Sequence, residues 1–80
     1  MIISEKFVKY LEAKGYKYNT GNDNCFFVSK NNENGIRIIS FYKNIEHLEI
    51  SNIYNSVSHY KYSGKIESLE QFDLIDRLTS

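Results

Sequence analysis

Helical and strand patterns occupy separate parts of this chain, and their order is what most constrains its fold. Apolar residues recur at helical spacing in residues 1–16 and 68–80, whereas the residues between them form short apolar runs separated by turn formers. Each helix has one apolar stripe to bury, and an antiparallel meander with both helices on one face buries both stripes at once. The sequence therefore predicts an α+β fold, a meander flanked by two helices in the order α-β-β-β-(β)-α.

Local signals mark the ends of both predicted helices. Ser4 is a suitable N-cap for the first helix, and Gly15 stands where a residue in the left-handed conformation ends a helix. Ser68 and Gln71 form a capping-box pattern at the start of the second helix, because a serine and a glutamine at this spacing can satisfy two backbone N–H groups.

The sheet is predicted to have three or four strands. Turn formers dominate residues 17–24, which predicts a loop there, and Asn34-Gly35 predicts a hairpin turn. Apolar residues on both faces of residues 36–43 predict a central strand that is covered on both sides or amply covered. Residues 52–56 form either a turn or a kink in one long strand. The predicted strands are 25–30, 36–43, 47–53 and 57–62.

Length, charge and cysteine content limit the function classes. Eighty residues make one domain, 1–80, with a core just large enough to fold unaided. Ten basic and ten acidic residues give zero net charge, which argues against a general binder of nucleic acid or anionic membrane. The sequence shows no apolar run of the roughly 20 residues that span a membrane and no signal-peptide pattern. Cys25, the single cysteine, excludes an internal disulfide and predicts a cytoplasmic protein.

The sequence contains no recognisable catalytic or metal-binding pattern. Cys25 opens an apolar strand, which is typical of a buried cysteine rather than a nucleophile. His47 and His59 lie in predicted strands, without a spacing known for acid–base catalysis or metal ligands. The sequence therefore predicts a non-enzymatic protein with no cofactor and no metal.

Two surfaces are predicted to bind a protein partner. The first is an acidic ridge on the second helix, made of acidic residues at every third position: Glu67, Glu70, Asp73 and Asp76. Such a ridge can meet a basic groove on a partner, even one that normally holds nucleic acid. The second is the face of the last strand on which Tyr60 and Tyr62 are predicted to lie together, because tyrosine suits interfaces. If the last strand is an exposed edge, it can also pair with a second copy to form a homodimer.

A nucleic-acid-associated protein is the alternative function. Tyrosine and lysine alternate in two triplets, and interleaved aromatic and basic side chains can stack bases and hold phosphates. The residues assigned to this alternative are Tyr16, Lys17, Tyr42, Lys43, Tyr60 and Lys61. A complex held by phosphate contacts weakens steeply with salt, whereas a tyrosine-centred protein interface loses far less affinity.

Both ends of the chain resemble small proteins of phages. The opening SEKFVKYLEAKGY, residues 4–16, is similar to the first helix of many α-β-β-β-α proteins from phages and prophages of low-GC bacteria, and LEQFDLIDRL, residues 69–78, is similar to their final helix. Some of these proteins are anti-CRISPR or other anti-defence inhibitors. The resemblance implies an inhibitor that binds a host defence protein in the host cytoplasm. A low-GC source also fits the composition, because residues with A/T-rich codons (Asn, Ile, Lys, Tyr and Phe) make up 39 of the 80 residues.

The opening also resembles HicA-type toxins, whose short domain has a related α-β-β-β-α order. Those toxins rely on a Gly-Ser-His stretch at their first strand, where this chain has Asn22-Asp-Asn-Cys25. The catalytic histidine is missing, so no functional residue is carried over from this family. The leading hypothesis is therefore a protein-binding module that inhibits a host protein.

Overall fold

The computed structural model describes residues 5–22, 24–42 and 45–80. Its helices and strands follow in the order α1 (Glu5–Ala13), β1 (Lys17–Asn22), β2 (Cys25–Asn32), β3 (Gly35–Tyr42), β4 (His47–Tyr54), β5 (Val57–Lys65) and α2 (Leu69–Thr79). All five strands form one antiparallel sheet in the order β1-β2-β3-β4-β5. The predicted α+β class, a meander sheet flanked by two helices, is confirmed. The predicted N-cap Ser4 and the nucleic-acid candidate Lys43 lie outside the described residues.

The sheet has one strand more than predicted, because residues 17–22 form β1 and not a loop. β1 pairs with β2, with Lys17 opposite Ser29, and its register becomes irregular after Asn19. Strand pairing uses the backbone N–H and C=O groups that every non-proline residue carries, so turn-forming side chains do not prevent it. The extra strand places β3 at the centre of the sheet, which confirms the central position predicted for it.

The end of α1 has the geometry that its sequence predicts. Gly15 has a φ of +97°, in the left-handed region. Its N–H donates to the Glu12 carbonyl at 3.0 Å, and the Tyr16 N–H donates to the Leu11 carbonyl at 3.1 Å. These two hydrogen bonds define a Schellman motif, which satisfies the last carbonyls of the helix and turns the chain into β1.

The start of α2 also follows its local signal. The Ser68 hydroxyl accepts a hydrogen bond from the Gln71 N–H at 3.1 Å, and the Gln71 side-chain oxygen accepts one from the Glu67 N–H at 2.7 Å. The predicted N-cap is therefore confirmed, and Glu67 lies before the helix. Across the described residues, neither helix has the length and hydropathy needed to cross a membrane.

The predicted hairpin between β2 and β3 is confirmed. Glu33 and Asn34 form the turn, and Gly35 is the first residue of β3. A β-carbon at Gly35 would lie 1.8 Å from the Ile53 carbonyl oxygen of β4. Glycine is therefore required at this position by the close approach of β4, in addition to any preference of the turn.

The segment that the sequence left open, residues 52–56, contains a turn. Asn55 and Ser56 connect β4 to β5 and have φ values of 51° and 65°. Two successive residues with positive φ are typical of the two-residue hairpin turn, whose backbone twist matches that of the strands. The chain therefore has two separate strands here and no kink.

The core lies between the sheet and the two helices. Phe7 of α1 links the layers, because its ring makes edge-to-face contacts with Phe41 of β3 (5.1 Å between centroids) and Phe72 of α2 (5.2 Å). The other buried core residues are Leu11, Tyr16, Phe26, Val28, Ile39, Leu48, Ile50 and Ile66. Both helices therefore pack on one face, as predicted. For β3, which was predicted to be covered on both sides or amply covered, coverage on both sides is wrong, because its alternate side chains are only half-buried or exposed; one buried face and one half-buried face fit the second alternative.

Candidate binding surface

The sheet face opposite the helices, called the open face, presents side chains from all five strands. These side chains alternate along each strand with those that point into the core. The open face consists of Lys17, Asn19, Cys25, Phe27, Ser29, Asn31, Ile36, Ile38, Ser40, Tyr42, His47, Glu49, Ser51, Ile53, Ser58, Tyr60, Ser63 and Lys65. Neither helix covers it, because both helices pack on the opposite side of the sheet.

The open face combines exposed apolar groups with small polar ones. Tyr60 is 79% exposed, Ile36 41% and Phe27 36%. Serine and asparagine occupy seven of the positions around them. Tyrosine supplies rigid contact area, and serine and asparagine supply adaptable hydrogen bonds at a small entropic cost. This combination is typical of surfaces that bind other proteins.

Tyr60 and Tyr62 lie on opposite sides of the sheet, so the prediction that they share a face is wrong. Ile50 pairs with Tyr62, but the next residue, Ser51, pairs with Tyr60, which leaves Lys61 as an extra residue in β5. Such a bulge reverses the alternation of the side chains that follow it. Tyr62 consequently packs against the core, whereas Tyr60 stays on the open face.

Asp73, a member of the predicted acidic ridge, is paired within the molecule. The Lys14 ammonium donates to its carboxylate at 2.6 Å, and the Tyr10 hydroxyl donates to it at 2.6 Å. These hydrogen bonds, that of Lys14 first, hold the pKa of the Asp73 carboxyl below its usual value. Glu67 and Glu70 remain exposed, although Glu67 precedes the helix. Asp73 is thus not an unpaired charge for a partner to meet.

Asp76, the last residue of the ridge, belongs to a network around the buried Arg37. The Arg37 guanidinium lies 2.8 Å from the Asp76 carboxylate and donates to the Thr79 carbonyl at 2.9 Å and the Asn52 side-chain oxygen at 3.1 Å. The Tyr16 hydroxyl donates to Asp76 at 2.9 Å and accepts from Arg37 at 3.0 Å. This network links β3 and β4 to the C-terminal end of α2. A positive charge at this end also interacts favourably with the helix dipole. The prediction of a continuous acidic ridge on a solvated helix face is therefore wrong.

The structure brings together part of the set assigned to nucleic-acid binding. The members that share the open face are Lys17, Tyr42 and Tyr60. Tyr16 is only 3% exposed, so its ring cannot stack on a base. Lys61 is exposed at the bulge of β5. The aromatic and basic groups that remain accessible therefore lie on and beside the open face.

A histidine, a serine and a glutamate meet on the open face without forming a catalytic triad. His47 Nε2 lies 2.9 Å from Ser63 Oγ and 3.9 Å from Glu49 Oε1. In a triad the carboxylate holds the ring nitrogen that faces away from the nucleophile, whereas here both partners face Nε2. His59 lies on the other side of the sheet. Over the described ranges, no three His, Cys, Asp or Glu side chains are grouped so that they could hold a metal ion.

Cys25 is expected to react slowly with thiol reagents such as DTNB. It is 9% exposed, and burial, with a smaller effect from the charge of Glu49, raises the pKa of its thiol. A raised pKa leaves less of the reactive thiolate at mildly alkaline pH, so the folded protein should react at least about tenfold more slowly than the chain unfolded in guanidinium. Equal rates for the two states would contradict this placement of Cys25.

Comparisons with known proteins identify no relative of this chain. No protein-family model matches it, and neither the curated proteins nor the solved structures contain a significant match. The resemblances to phage inhibitors and to HicA-type toxins stay predictions.

Proposed function

We propose that this chain is a non-enzymatic protein-binding module and that its open face binds the partner. The observation that supports this most directly is the exposure of Tyr60, Ile36 and Phe27 on a sheet face that neither helix covers. A sheet face that stays in water is normally polar. Each apolar Å² that a partner removes from water contributes about 25 cal/mol, so these side chains favour association.

The charges of the open face favour an acidic partner. Lys17 and Lys65 lie on its two edge strands, and Glu49, the one acidic residue among the described members of this face, lies near His47. A partner with an apolar centre and carboxylates at its rim complements this arrangement. The predicted ridge offers a basic partner less, because Asp73 and Asp76 are paired internally.

The resemblance of both chain ends to phage and prophage proteins, a prediction from the sequence alone, leads us to propose a host protein as the partner. In this proposal the chain binds a host defence protein in the host cytoplasm and inhibits it by covering a surface that the host protein needs for its activity. Inhibition of this kind depends on affinity and requires no chemical step on the inhibitor.

The exposed edge strand β5 is a less favourable contact for a second copy of this chain than the open face is for a partner. The bulge at Lys61 interrupts the row of backbone groups that a new strand would pair with. Lys61 and Lys65 also place two positive charges along this edge, a common protection against strand pairing. The open face is therefore proposed as the main contact, in preference to a homodimer through β5.

Replacing Tyr60 with alanine is expected to weaken partner binding by about 30-fold, the effect of a typical aromatic hot spot. The partner is first captured from a low-GC host lysate with a photoreactive residue at Ser51 and then purified for calorimetry. Tyr18→Ala is the matched control, because Tyr18 is a 44% exposed tyrosine on the helix side of the sheet. Its effect is expected to stay below about threefold. Equal losses for the two variants, or no loss for Tyr60→Ala, would rule out the open face as the binding surface.

A nucleic-acid-associated protein is the second candidate, because Lys17, Tyr42 and Tyr60 share the open face. Two lysine contacts to the phosphates of a single strand make affinity fall about 25-fold for a tenfold rise in salt. A tyrosine-centred protein interface loses much less over the same range. Recovery of nucleic acid alone, in a complex that nuclease treatment abolishes, would overturn the protein-binding proposal.

A further inference from the structure

We propose that a cleft at the edge of the open face binds a phosphate-type oxyanion. The cleft lies where the chain passes from α1 into β1, has a volume of about 250 Å³ and is lined by Gly15, Lys17, Ser29, Lys30 and Asn31. Four of these residues have side chains that can donate hydrogen bonds, and none of the five is acidic. The inference does not depend on the protein-binding proposal, because the ligand is small and the site can be tested on the isolated protein.

The two lysines of the cleft supply positive charge that has no ion-pair partner among the described residues. No described carboxylate lies within 4.0 Å of the Nζ of Lys17 or Lys30, in contrast to Lys14, which pairs with Asp73. A phosphate monoester carries a charge of about −1.5 to −2 at neutral pH. Lys17 lies on the open face and Lys30 on the helix side of β2, so the two lysines line the cleft from the two sides of the sheet. Their two positive charges match the charge of the phosphate group in number.

Lys30 is held in place before any ligand arrives. Its Nζ lies 5.3 Å from the centroid of the Tyr16 ring, within the range of a cation–π contact. The ring itself is fixed, because Tyr16 is 3% exposed and its hydroxyl bonds to both Asp76 and Arg37. A positioned ammonium loses less conformational entropy on binding than a freely rotating one.

Ser29 and Asn31 add neutral donors to the charged ones. The Asn19 amide donates to Ser29 Oγ at 3.1 Å, so the serine oxygen is used as an acceptor and its proton can be directed to a ligand. Asn31 contributes an amide with two N–H donors. A phosphate group has three acceptor oxygens and can use several such donors at once, which favours it over a simple halide.

Titration with inorganic phosphate, followed by NMR at an ionic strength held constant with chloride, tests the site. We expect saturable shifts of the backbone amides that line the cleft, with a dissociation constant on the order of millimolar for so small a ligand. The double variant Lys17→Gln/Lys30→Gln should bind at least about tenfold more weakly. Lys6→Gln/Lys9→Gln is the matched control, because these two lysines are exposed on α1, and it should bind like the wild type.

Two further ligands identify where the phosphate group comes from. Tighter binding of a phosphoserine peptide than of inorganic phosphate assigns the cleft to a monoester, tighter binding of a single-stranded oligothymidylate assigns it to a nucleic-acid backbone, and tighter binding of neither assigns it to the free ion. Shifts that do not saturate, or that chloride alone reproduces, would overturn the site. Unchanged affinity in the folded Lys17→Gln/Lys30→Gln variant would overturn it as well.

Discussion

Replacing Arg37 with methionine is expected to lower the free energy of unfolding by about 3–5 kcal/mol, the cost of breaking a buried ion pair. The Arg37 side chain is 6% exposed and that of Asp76 17% exposed. The substitution leaves the Asp76 carboxylate without its guanidinium, and it removes a donor from the Asn52 oxygen and the Thr79 carbonyl. Small domains are stable by only about 5–15 kcal/mol, so the loss is a large fraction of the total. Urea unfolding followed by circular dichroism measures it.

The control for this prediction lies on α2, the helix that carries Asp76. Arg77→Met removes an exposed arginine and is expected to change the free energy of unfolding by less than about 0.5 kcal/mol. The double variant Arg37→Met/Asp76→Leu should cost less than the sum of its two single changes, because neither charge is then left buried without its partner. Equal losses for Arg37→Met and Arg77→Met would show that the network does not stabilise the fold.

The end of α1 and the start of α2 could be predicted because their signals are local. The hydrogen bonds that end α1 at Gly15 and begin α2 at Ser68 join residues no more than five positions apart. The turn at Asn34 is local as well, because it joins Asn32 and Gly35, which are three positions apart. A short stretch of sequence contains all the groups that take part in such features.

The edge strand and the bulge could not be predicted for the opposite reason. β1 contains asparagine, threonine and glycine, and it is a strand because the backbone of β2 is available to pair with it. The bulge inserts Lys61 without any mark in the sequence, and a slip of one residue moves a side chain to the other face. The assignment of Tyr60 and Tyr62 to one surface failed on this single residue.

The prediction of an acidic ridge was wrong because the residues that pair with Asp73 and Asp76 are distant from them in sequence. Spacing alone places Asp73 and Asp76 in one row on a helix, but it does not show what that row faces. The side chains that pair with them, Lys14 and Arg37, lie 59 and 39 positions away. Arg37 carried no signal of burial in the sequence, since a single arginine in a strand is ordinarily exposed. The candidate surface therefore moves from α2 to the open face, where Tyr60, Ile36 and Phe27 are exposed.

Replacing Phe72 with alanine is expected to lower the free energy of unfolding by about 3–5 kcal/mol, as for other fully buried aromatic residues. Phe72 is 0% exposed, and it is the one buried side chain of α2. Its ring lies 5.2 Å from that of Phe7, and the Lys14 ammonium lies 5.8 Å from its centroid. The substitution removes the central apolar contact between the two helices, and thermal or urea unfolding reports the loss.

Leu78→Ala is the matched control, because Leu78 lies on the same helix and is 76% exposed. It should change the free energy of unfolding by less than about 0.5 kcal/mol. Phe72 and the Arg37 network anchor α2 to the sheet at different points. Loss of the aromatic contact should therefore also weaken the contacts of Arg37 with the end of the helix. The combined variant Phe72→Ala/Arg37→Met should therefore cost less than the sum of the single variants. A small effect of Phe72→Ala, similar to that of Leu78→Ala, would mean that α2 is not anchored to the sheet through this residue.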